Sequence, residues 1–146
     1  MLTATNDAGE TVLHQIAPKS GTGYLAVTKK RRECFDAVLN SLNQLSKVDR
    51  DEVINRTDDN HKTVLLRIME YETEGCGIKS TSGKSSQKMK TALLARGPNL
   101  FLDDNTGSSP ASFSKKHSII HKTVKKKVKT YDEFKKSLEK QFITTI

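Results

Sequence analysis

The residues that come nearest to a nucleotide-binding motif are 77–85, which read GIKSTSGKS. A phosphate-binding loop requires a glycine five residues before the glycine of its closing Gly-Lys-Ser, because the backbone there must close around the phosphates. Ile78 occupies that position, and Gly77 stands one residue too early. The preceding residues, 71–74, do not form the expected hydrophobic strand. We therefore predict a flexible polar loop here rather than a nucleotide site.

Histidine and cysteine are the next residue types that could do chemistry. His117 and His121 are four residues apart, which on a helix would place two metal ligands on one face. No cysteine or carboxylate lies near enough in sequence to complete such a site. Cys34 and Cys76 fit no metal or disulfide framework, so we interpret both as reduced thiols, with Cys34 packed on a helix. No metal and no cofactor are expected.

His14 could in principle act as a catalytic base, but no nucleophile is suggested near it. Elsewhere the sequence shows no pair of acids, no nucleophile with a base and no glycine-rich catalytic loop. We therefore expect His14 to have a structural role, and we expect no enzymatic activity from this segment.

Positive charge is the strongest compositional signal. The net charge is +8, and one stretch without any acid contains Lys115, Lys116, Lys122, Lys125, Lys126, Lys127 and Lys129. The residues Lys122, Lys125, Lys126, Lys127 and Lys129 form a candidate basic patch for nucleic acid, anionic lipid or an acidic protein. No aromatic residue is interleaved before Tyr131, so base stacking is expected to be weak. The alternative is a solvated, mobile loop.

The composition limits the class of protein. The chain has 146 residues, enough for one domain, with 34% hydrophobic and 29% charged residues and no tryptophan. These values favour an extended protein with a thin core. No run approaches the roughly 18 apolar residues of a membrane span, and the N-terminus lacks the regions of a signal peptide. We therefore expect a cytoplasmic location.

Apolar residues at helical spacing predict helices at 11–17, 29–45, 47–54, 63–70, 88–96, 109–114 and 131–142. The stretches 72–87 and 115–130 are predicted as loops. Gly97 is predicted to end the helix before it in a left-handed conformation. The last helix is amphipathic, with Thr130 as its N-cap and one face formed by Tyr131, Phe134, Leu138 and Phe142.

One short sequence motif, which we call the phrase, occurs three times and divides these elements into units. It reads NDAGETVLH at 6–14, DDNHKTVLL at 58–66 and, in a degenerate form, DNTGSSPAS at 104–112. Each copy opens a unit made of a turn, a short helix, a loop and a second helix. None of these units could bury its apolar face alone, so we expect the three to stack around one continuous core.

The phrase resembles the ankyrin repeat, whose signature is an Asp-containing turn, a glycine and then Thr-Pro-Leu-His at the start of the first helix. Residues 9–14 match all of it but the proline, and 61–66 keep the threonine and leucine. Residues 107–110 keep the glycine and proline, and 89–104 are similar to the family's second helix and glycine cap. The resemblance implies that Thr11, His14 and Thr63 form local hydrogen bonds that hold each turn against its helix.

The spacing of the phrase departs from the family. Gly9 and His61 are 52 residues apart and His61 and Gly107 are 46 apart, whereas the family period is about 33. The surplus falls each time between the first and second helices, at roughly 18–32, 72–87 and 115–130. Insertions at one point of each repeat should project from one side of the stack, where loops often carry function, although drift in a degenerate array would look the same.

We therefore predict an all-α, ankyrin-like helical solenoid of about three helix-turn-helix repeats (5–55, 56–102 and 103–143) with long inter-helix loops. It forms a single domain over 1–146 or a segment of a larger protein. The resemblance implies a protein–protein interaction module, expected to be monomeric, whose turn tips and first helices bind a partner protein. The matching variable positions are Asp7, Ala8, Glu10, Asp59, Asn60, Lys62, Asn105, Thr106 and Ser108.

Two other functions remain open. One is electrostatic binding of nucleic acid or anionic lipid through the tract from Lys115 to Lys129. The other is a targeting or regulatory role within a larger bacterial effector enzyme, by analogy with the family, which would place the chain in the cytosol or nucleus of a host cell.

Overall fold

The computed structural model describes residues 4–18, 28–73, 81–117 and 120–144, except for the side chains of 81–83 and 141–144. Within these ranges the chain forms α-helices and no β-strand, so the predicted all-α class is confirmed. The helices are α1 (Val12–Ile16), α2 (Lys29–Ser41), α3 (Lys47–Asn55), α4 (Val64–Thr73), α5 (Thr81–Leu94), α6 (Pro110–Lys116) and α7 (Lys122–Thr144), with a 3-10 turn at Leu42–Gln44.

Side-chain caps determine where several helices begin. The side-chain oxygens of Thr11, Thr28, Ser46 and Ser109 each accept a hydrogen bond from the backbone N–H three residues further on. Such a cap satisfies one of the amides that the first turn of a helix leaves unpaired. At the other end of α5, Gly97 has a φ of +67°, which confirms the predicted left-handed termination.

The helices form two rows. The short helices α1, α4 and α6 pack side by side, and α2 packs on α5 in the second row. Each short helix also packs on the longer helix that follows it, so that α1 pairs with α2, α4 with α5 and α6 with α7. Helix α4 lies between α1 and α6, and for this reason every side chain from Val64 to Met69 is buried.

Each copy of the phrase contributes a buried apolar residue to the core at the same position. Leu13, Leu65 and Ala111 occupy the same place in the three copies, and each is at most 5% exposed. The longer helices and α3 complete this core with Phe35, Leu39, Val53, Ile54, Met89, Leu93, Val124 and Val128. Burial of this apolar surface is the main force that holds the units together.

The same tight turn precedes each short helix. The side-chain Oδ1 atoms of Asn6, Asp58 and Asp104 each accept hydrogen bonds from the backbone N–H groups two and four residues further on. The residue three positions on has a positive φ, which is 71° at Gly9, 59° at His61 and 82° at Gly107. The three copies of the phrase are therefore three copies of one structure.

The loop predicted at 72–87 is wrong throughout its described part, 72–73 and 81–87. Helix α4 continues through Thr73, and α5 already begins at Thr81 instead of residue 88. Ser85 and Ser86 are buried on this added part of α5, which explains how a polar run is held in a helix. The candidate phosphate loop at 77–85 lies partly outside the described residues, and its Gly83, Lys84 and Ser85 belong to α5.

The loop predicted at 115–130 is wrong over most of its described part, and only 117, 120 and 121 lie between helices. Helix α6 extends through Lys116, and α7 runs without interruption from Lys122 to Thr144, so that the basic patch lies on a helix. Thr130 is not an N-cap, because it sits inside α7 with its hydroxyl donating to the Lys126 carbonyl. Val124 and Val128 are buried and anchor this helix to the core. No helix among the described residues is long and apolar enough to cross a membrane.

The close approach of the first two turns leads to a prediction about Gly9. A Cβ atom at Gly9 would lie 3.1 Å from the Asp59 backbone nitrogen and 2.6 Å from Asp59 Oδ1, whereas a Cβ at Gly107 would meet no atom within 4 Å. Both glycines have positive φ, so alanine at either site costs about 1 kcal/mol of backbone strain. We expect Gly9→Ala to lose roughly 1 kcal/mol more than Gly107→Ala in urea unfolding. Equal losses would show that the first two turns are not in contact.

Candidate functional site

The three turns are joined edge to edge by backbone hydrogen bonds. The Asp59 N–H donates to the Ala8 carbonyl at 3.0 Å, and the Asn105 N–H donates to the Asn60 carbonyl at 3.0 Å. Donors and acceptors hold equivalent positions in the phrase, so the two bonds are copies of one another. The Asn105 side-chain amide adds a longer contact to the Asp59 carbonyl, at 3.4 Å. We call this arrangement the turn ladder.

Six of the nine predicted partner-binding residues project from the turn ladder into solvent. We call these the tip surface: Asp7, Ala8, Asp59, Asn60, Asn105 and Thr106. The Thr106 hydroxyl bonds to Asp104 Oδ1 at 2.7 Å, which fixes its orientation. The ladder holds the backbone of this surface in place, so a ligand would meet groups that are already ordered.

The other three predicted residues, Glu10, Lys62 and Ser108, are half-buried. Lys62 Nζ lies 2.7 Å from Glu70 Oε2 and 3.1 Å from Asp104 Oδ2, so it joins the second turn to α4 and to the third turn. Partial burial alone would lower the pKa of Lys62, but the Glu70 and Asp104 carboxylates outweigh it and raise that pKa. Lys62 therefore connects two units within the chain.

Arg67 makes the matching connection between the first and second units. Its side chain is only 5% exposed, and its guanidinium forms ion pairs with Asp58 and Glu10, with Nε 2.9 Å from Asp58 Oδ2. It also donates to the His14 carbonyl at 3.2 Å. Nothing in the sequence pattern pointed to Arg67 as a connector, except that a single cation interrupts the apolar run of α4.

Asp104 accepts hydrogen bonds from its own turn and from a neighbour. Burial alone would raise its pKa, but the Thr106 hydroxyl, the Ser108 and Thr106 amides and the Lys62 ammonium together lower the pKa of Asp104 to about 2. The carboxylate is thus ionised throughout the neutral range and holds the third turn closed.

His14 has the structural role predicted for it. Its Nε2 lies 2.9 Å from the Lys62 carbonyl, which can only accept, and its Nδ1 lies 3.2 Å from the Thr11 backbone N–H. The proton must therefore be on Nε2. Burial lowers the pKa of His14, so that the ring stays neutral and serves as a fixed connector between the first and second turns.

A second buried polar cluster joins α4, α5 and the start of α7. Lys90 Nζ lies 3.0 Å from Glu72 Oε1 as an ion pair rather than a well-directed hydrogen bond. It also lies 3.4 Å from His121 Nδ1, and His121 Nε2 contacts the Thr73 hydroxyl at 2.8 Å. Burial raises the pKa of Glu72, while burial, Lys90 and His117 together lower the pKa of His121 to about 4.

The two histidines do not lie on one helical face as a metal pair would. His117 ends α6 and His121 precedes α7, and both rings contact Phe113, with centroids 4.7 and 5.5 Å away. No group of three or more metal-ligating side chains occurs among the described residues. Cys34 is exposed on α2, so the prediction that it is packed is wrong, and Cys76 lies outside the described residues.

The basic patch forms one wall of a groove beside α7. Lys122, Lys125, Lys126 and Lys129 line this groove of about 560 Å³ together with Lys115 from α6, and Val128 and Asp132 complete its lining. Lys127 projects from another side of the helix, because successive residues are about 100° apart around the helix axis. The helix therefore concentrates in one place a charge that the sequence alone suggested would be spread along a loop.

Comparison of the chain with protein-family models, with curated proteins and with solved structures finds no match.

The buried ion pairs predict a large effect of removing Arg67. Arg67→Met keeps most of the side-chain volume but leaves the Asp58 and Glu10 carboxylates without their cation, so we expect a loss of about 3–5 kcal/mol in urea unfolding. Arg56→Met is the matched control, because the Arg56–Glu52 pair is exposed and should contribute less than about 1 kcal/mol. Similar losses for both variants would contradict a connecting role for Arg67.

The lowered pKa of His121 predicts that the stability of the fold depends on pH. Its folded pKa of about 4 lies below the ordinary value of 6.5, so the unfolded chain binds the proton first as the pH falls. Stability should therefore decrease from about pH 6.5 to pH 4, and the dependence should be shallower in His121→Gln. His14 has a lowered pKa and leaves a residual slope of the same sign, while Glu72 has a raised pKa and contributes the opposite sign.

The measurement is the midpoint of thermal unfolding at several pH values between 7.5 and about 4.5. His61→Asn is the control, since His61 is exposed and asparagine tolerates its positive φ. An unchanged slope in His121→Gln would show that His121 titrates normally in the folded protein.

Proposed function

We propose that this chain is an ankyrin-like interaction module that binds a partner protein through its tip surface. The turn ladder is the observation that carries this proposal. Two equivalent backbone hydrogen bonds align three equivalent turns, so that their exposed side chains form one continuous row. Such regular alignment of surface residues is typical of repeat proteins whose function is recognition.

The hydrogen bonds of the first turn support the ankyrin-like interpretation. Thr11 caps α1 and bonds to the His14 ring, as the resemblance implied, and His14 reaches the neighbouring unit at Lys62. Thr63 caps α4 in the same way, with its hydroxyl 3.2 Å from the Leu66 backbone nitrogen. The third copy uses Ser109 in that place and preserves the cap with a serine.

The charges of the tip surface describe the partner. Asp7 and Asp59 make its first two turns acidic, while Asn60, Asn105 and Thr106 are neutral hydrogen-bonding side chains. A surface of this kind fits a polar or basic segment of a partner rather than an apolar one. Glu10 and Lys62 form ion pairs within the chain, so they contribute to binding mainly by stabilising the turn ladder.

The proposal predicts that two tip side chains control partner capture. Asp59→Ala combined with Asn60→Ala removes exposed groups while leaving the backbone hydrogen bonds of the ladder in place. We expect this variant to lose a discrete protein that the wild-type chain retains from a eukaryotic cell lysate at both low and high salt. The expected loss is at least tenfold, as for the central residues of a typical interface.

The control variant combines Glu33→Ala with Asn43→Ala, which removes one acid and one amide from exposed positions on and beside α2. It should retain the partner fully. Retention by both variants would place the binding site away from the tip surface. Recovery of nothing but salt-labile nucleic acid would contradict the interaction module and favour the basic patch.

A further inference from the structure

Helix α7 carries one apolar stripe along its length. Val124 and Val128 begin this stripe and are buried where α7 packs on α6, with 0% and 3% exposure. At spacings of three and four residues the stripe continues through Tyr131, Phe134 and Leu138, which are 50%, 61% and 39% exposed. A helical stripe that starts in the core thus runs out into solvent.

The second half of α7 extends away from the two rows. Every side chain from Glu133 to Lys140 is exposed, on all sides of the helix. Phe101, which precedes the third turn, is 44% exposed and contacts the Tyr131 ring at a centroid distance of 5.0 Å. The exposed apolar surface therefore continues from the body of the protein onto the projecting helix. Neighbouring large apolar side chains that remain exposed in this way are typical of contact sites.

Positive charge surrounds this stripe. Helix α7 contains eight lysines and three acids, and it contains no arginine. Lys127 and Lys135 lie about 40° to either side of Tyr131 around the helix axis. The groove beside α6 holds five more lysines and Asp132, but its α7 lysines lie about 120–180° around the axis from Tyr131. Lys127 and Lys135 are therefore the lysines that flank the exposed stripe.

We propose that α7 is a docking element for an anionic lipid surface. Tyr131, Phe134 and Leu138 enter the boundary between headgroups and acyl chains, and the lysines around them reach the headgroups. Lysine suits this position because its long apolar stem lies along the boundary while its ammonium stays among the phosphates. Three apolar side chains or the lysines alone would bind weakly, whereas the combination supplies the two signals that stable peripheral binding needs.

The charges distinguish a lipid surface from the other occupants of this stripe. A second copy of the chain would bring two helices, each with a net charge of +5, against each other. An acidic protein groove would favour arginine, which is enriched in protein interfaces where lysine is depleted. Nucleic acid would neutralise the lysines but would leave Phe134 and Leu138 in water. Anionic lipid covers both the charge and the apolar surface.

The first test is co-sedimentation of the chain with vesicles of phosphatidylcholine, with or without about 30% phosphatidylserine, at about 0.15 M salt. We expect binding to the anionic vesicles and little to the neutral ones. Phe134→Ser with Leu138→Ser should weaken binding at least tenfold. Val48→Ser is the matched control, because Val48 on α3 is 76% exposed and should not enter the membrane.

The charge contribution is tested with Lys127→Gln and Lys135→Gln together, since both lysines are exposed beside the stripe. Each lysine near an anionic surface contributes about fivefold, so the double variant should bind roughly 25-fold more weakly. The control replaces Lys29 and Lys47 with glutamine, since these two lysines are exposed on α2 and α3. It should bind nearly as the wild type does.

Insertion itself is tested with a single tryptophan, because the natural sequence has none. Phe134→Trp should shift its fluorescence to shorter wavelength on addition of anionic vesicles, while Val48→Trp should not. All of these positions are exposed, so we expect every variant to keep its helices. Circular dichroism without vesicles checks this.

Four results would overturn the proposal. The first is an absence of binding to anionic vesicles, and the second is equal binding to neutral ones. The third is binding of a poly(U) RNA that depends on the lysines but not on Phe134 and Leu138, which would assign the helix to nucleic acid. The fourth is a dimer in sedimentation velocity that Phe134→Ser with Leu138→Ser abolishes, which would assign the stripe to a second copy. None of these results bears on the tip surface, so the two proposals can fail separately.

Discussion

Asp58 is the residue on which the arrangement of the units depends most directly. One oxygen of its buried carboxylate accepts the two amides that close the second turn, and the other oxygen binds Arg67. Through Arg67 the same charge is connected to Glu10 and to the His14 carbonyl in α1. A single side chain therefore fixes a turn, the helix that follows it and the neighbouring unit. Loss of either partner would leave a buried charge uncompensated.

The repeated phrase made the turns and short helices predictable. Asn6, Asp58 and Asp104 are residue types that bond to their own turns, and glycine suits the positive φ that follows. Even His61, which interrupts the pattern, keeps that conformation because the hydrogen bonds of its neighbours impose it. The repeat was therefore visible in the sequence of the turns and short helices.

The long helices were harder to predict because their polar runs hide the apolar signal. The lysines of α7 favoured a loop by composition, yet Val124, Val128 and Tyr131 have the spacing of a helix face. The polar start of α5 is similar, because Ser85 and Ser86 are buried by neighbouring helices and not by their own apolarity. These helical segments are stabilised by tertiary packing, which local composition does not reveal.

The exposure of most turn tips was predictable from the sequence, but the contacts between the turns were not. The turn tips were named from the repeat, and most of them are exposed. The ion pairs of Glu10 with Arg67 and of Lys62 with Asp104 join residues far apart in sequence, so no local pattern revealed them. The same is true of the buried cluster of Glu72, Lys90 and His121, in which α4, α5 and the residue before α7 come together.

The turn ladder also has a mechanical meaning. Its two backbone bonds run in series, so a force that pulls the first turn away from the third passes through both junctions. The first junction is reinforced by the buried Arg67, whereas the second has Lys62, whose side chain is 23% exposed and can exchange its partners with water, and one long contact from the Asn105 amide. Under such a load the second and third turns would separate first, while the buried contacts of Lys90 and His121 still join the helices of those units.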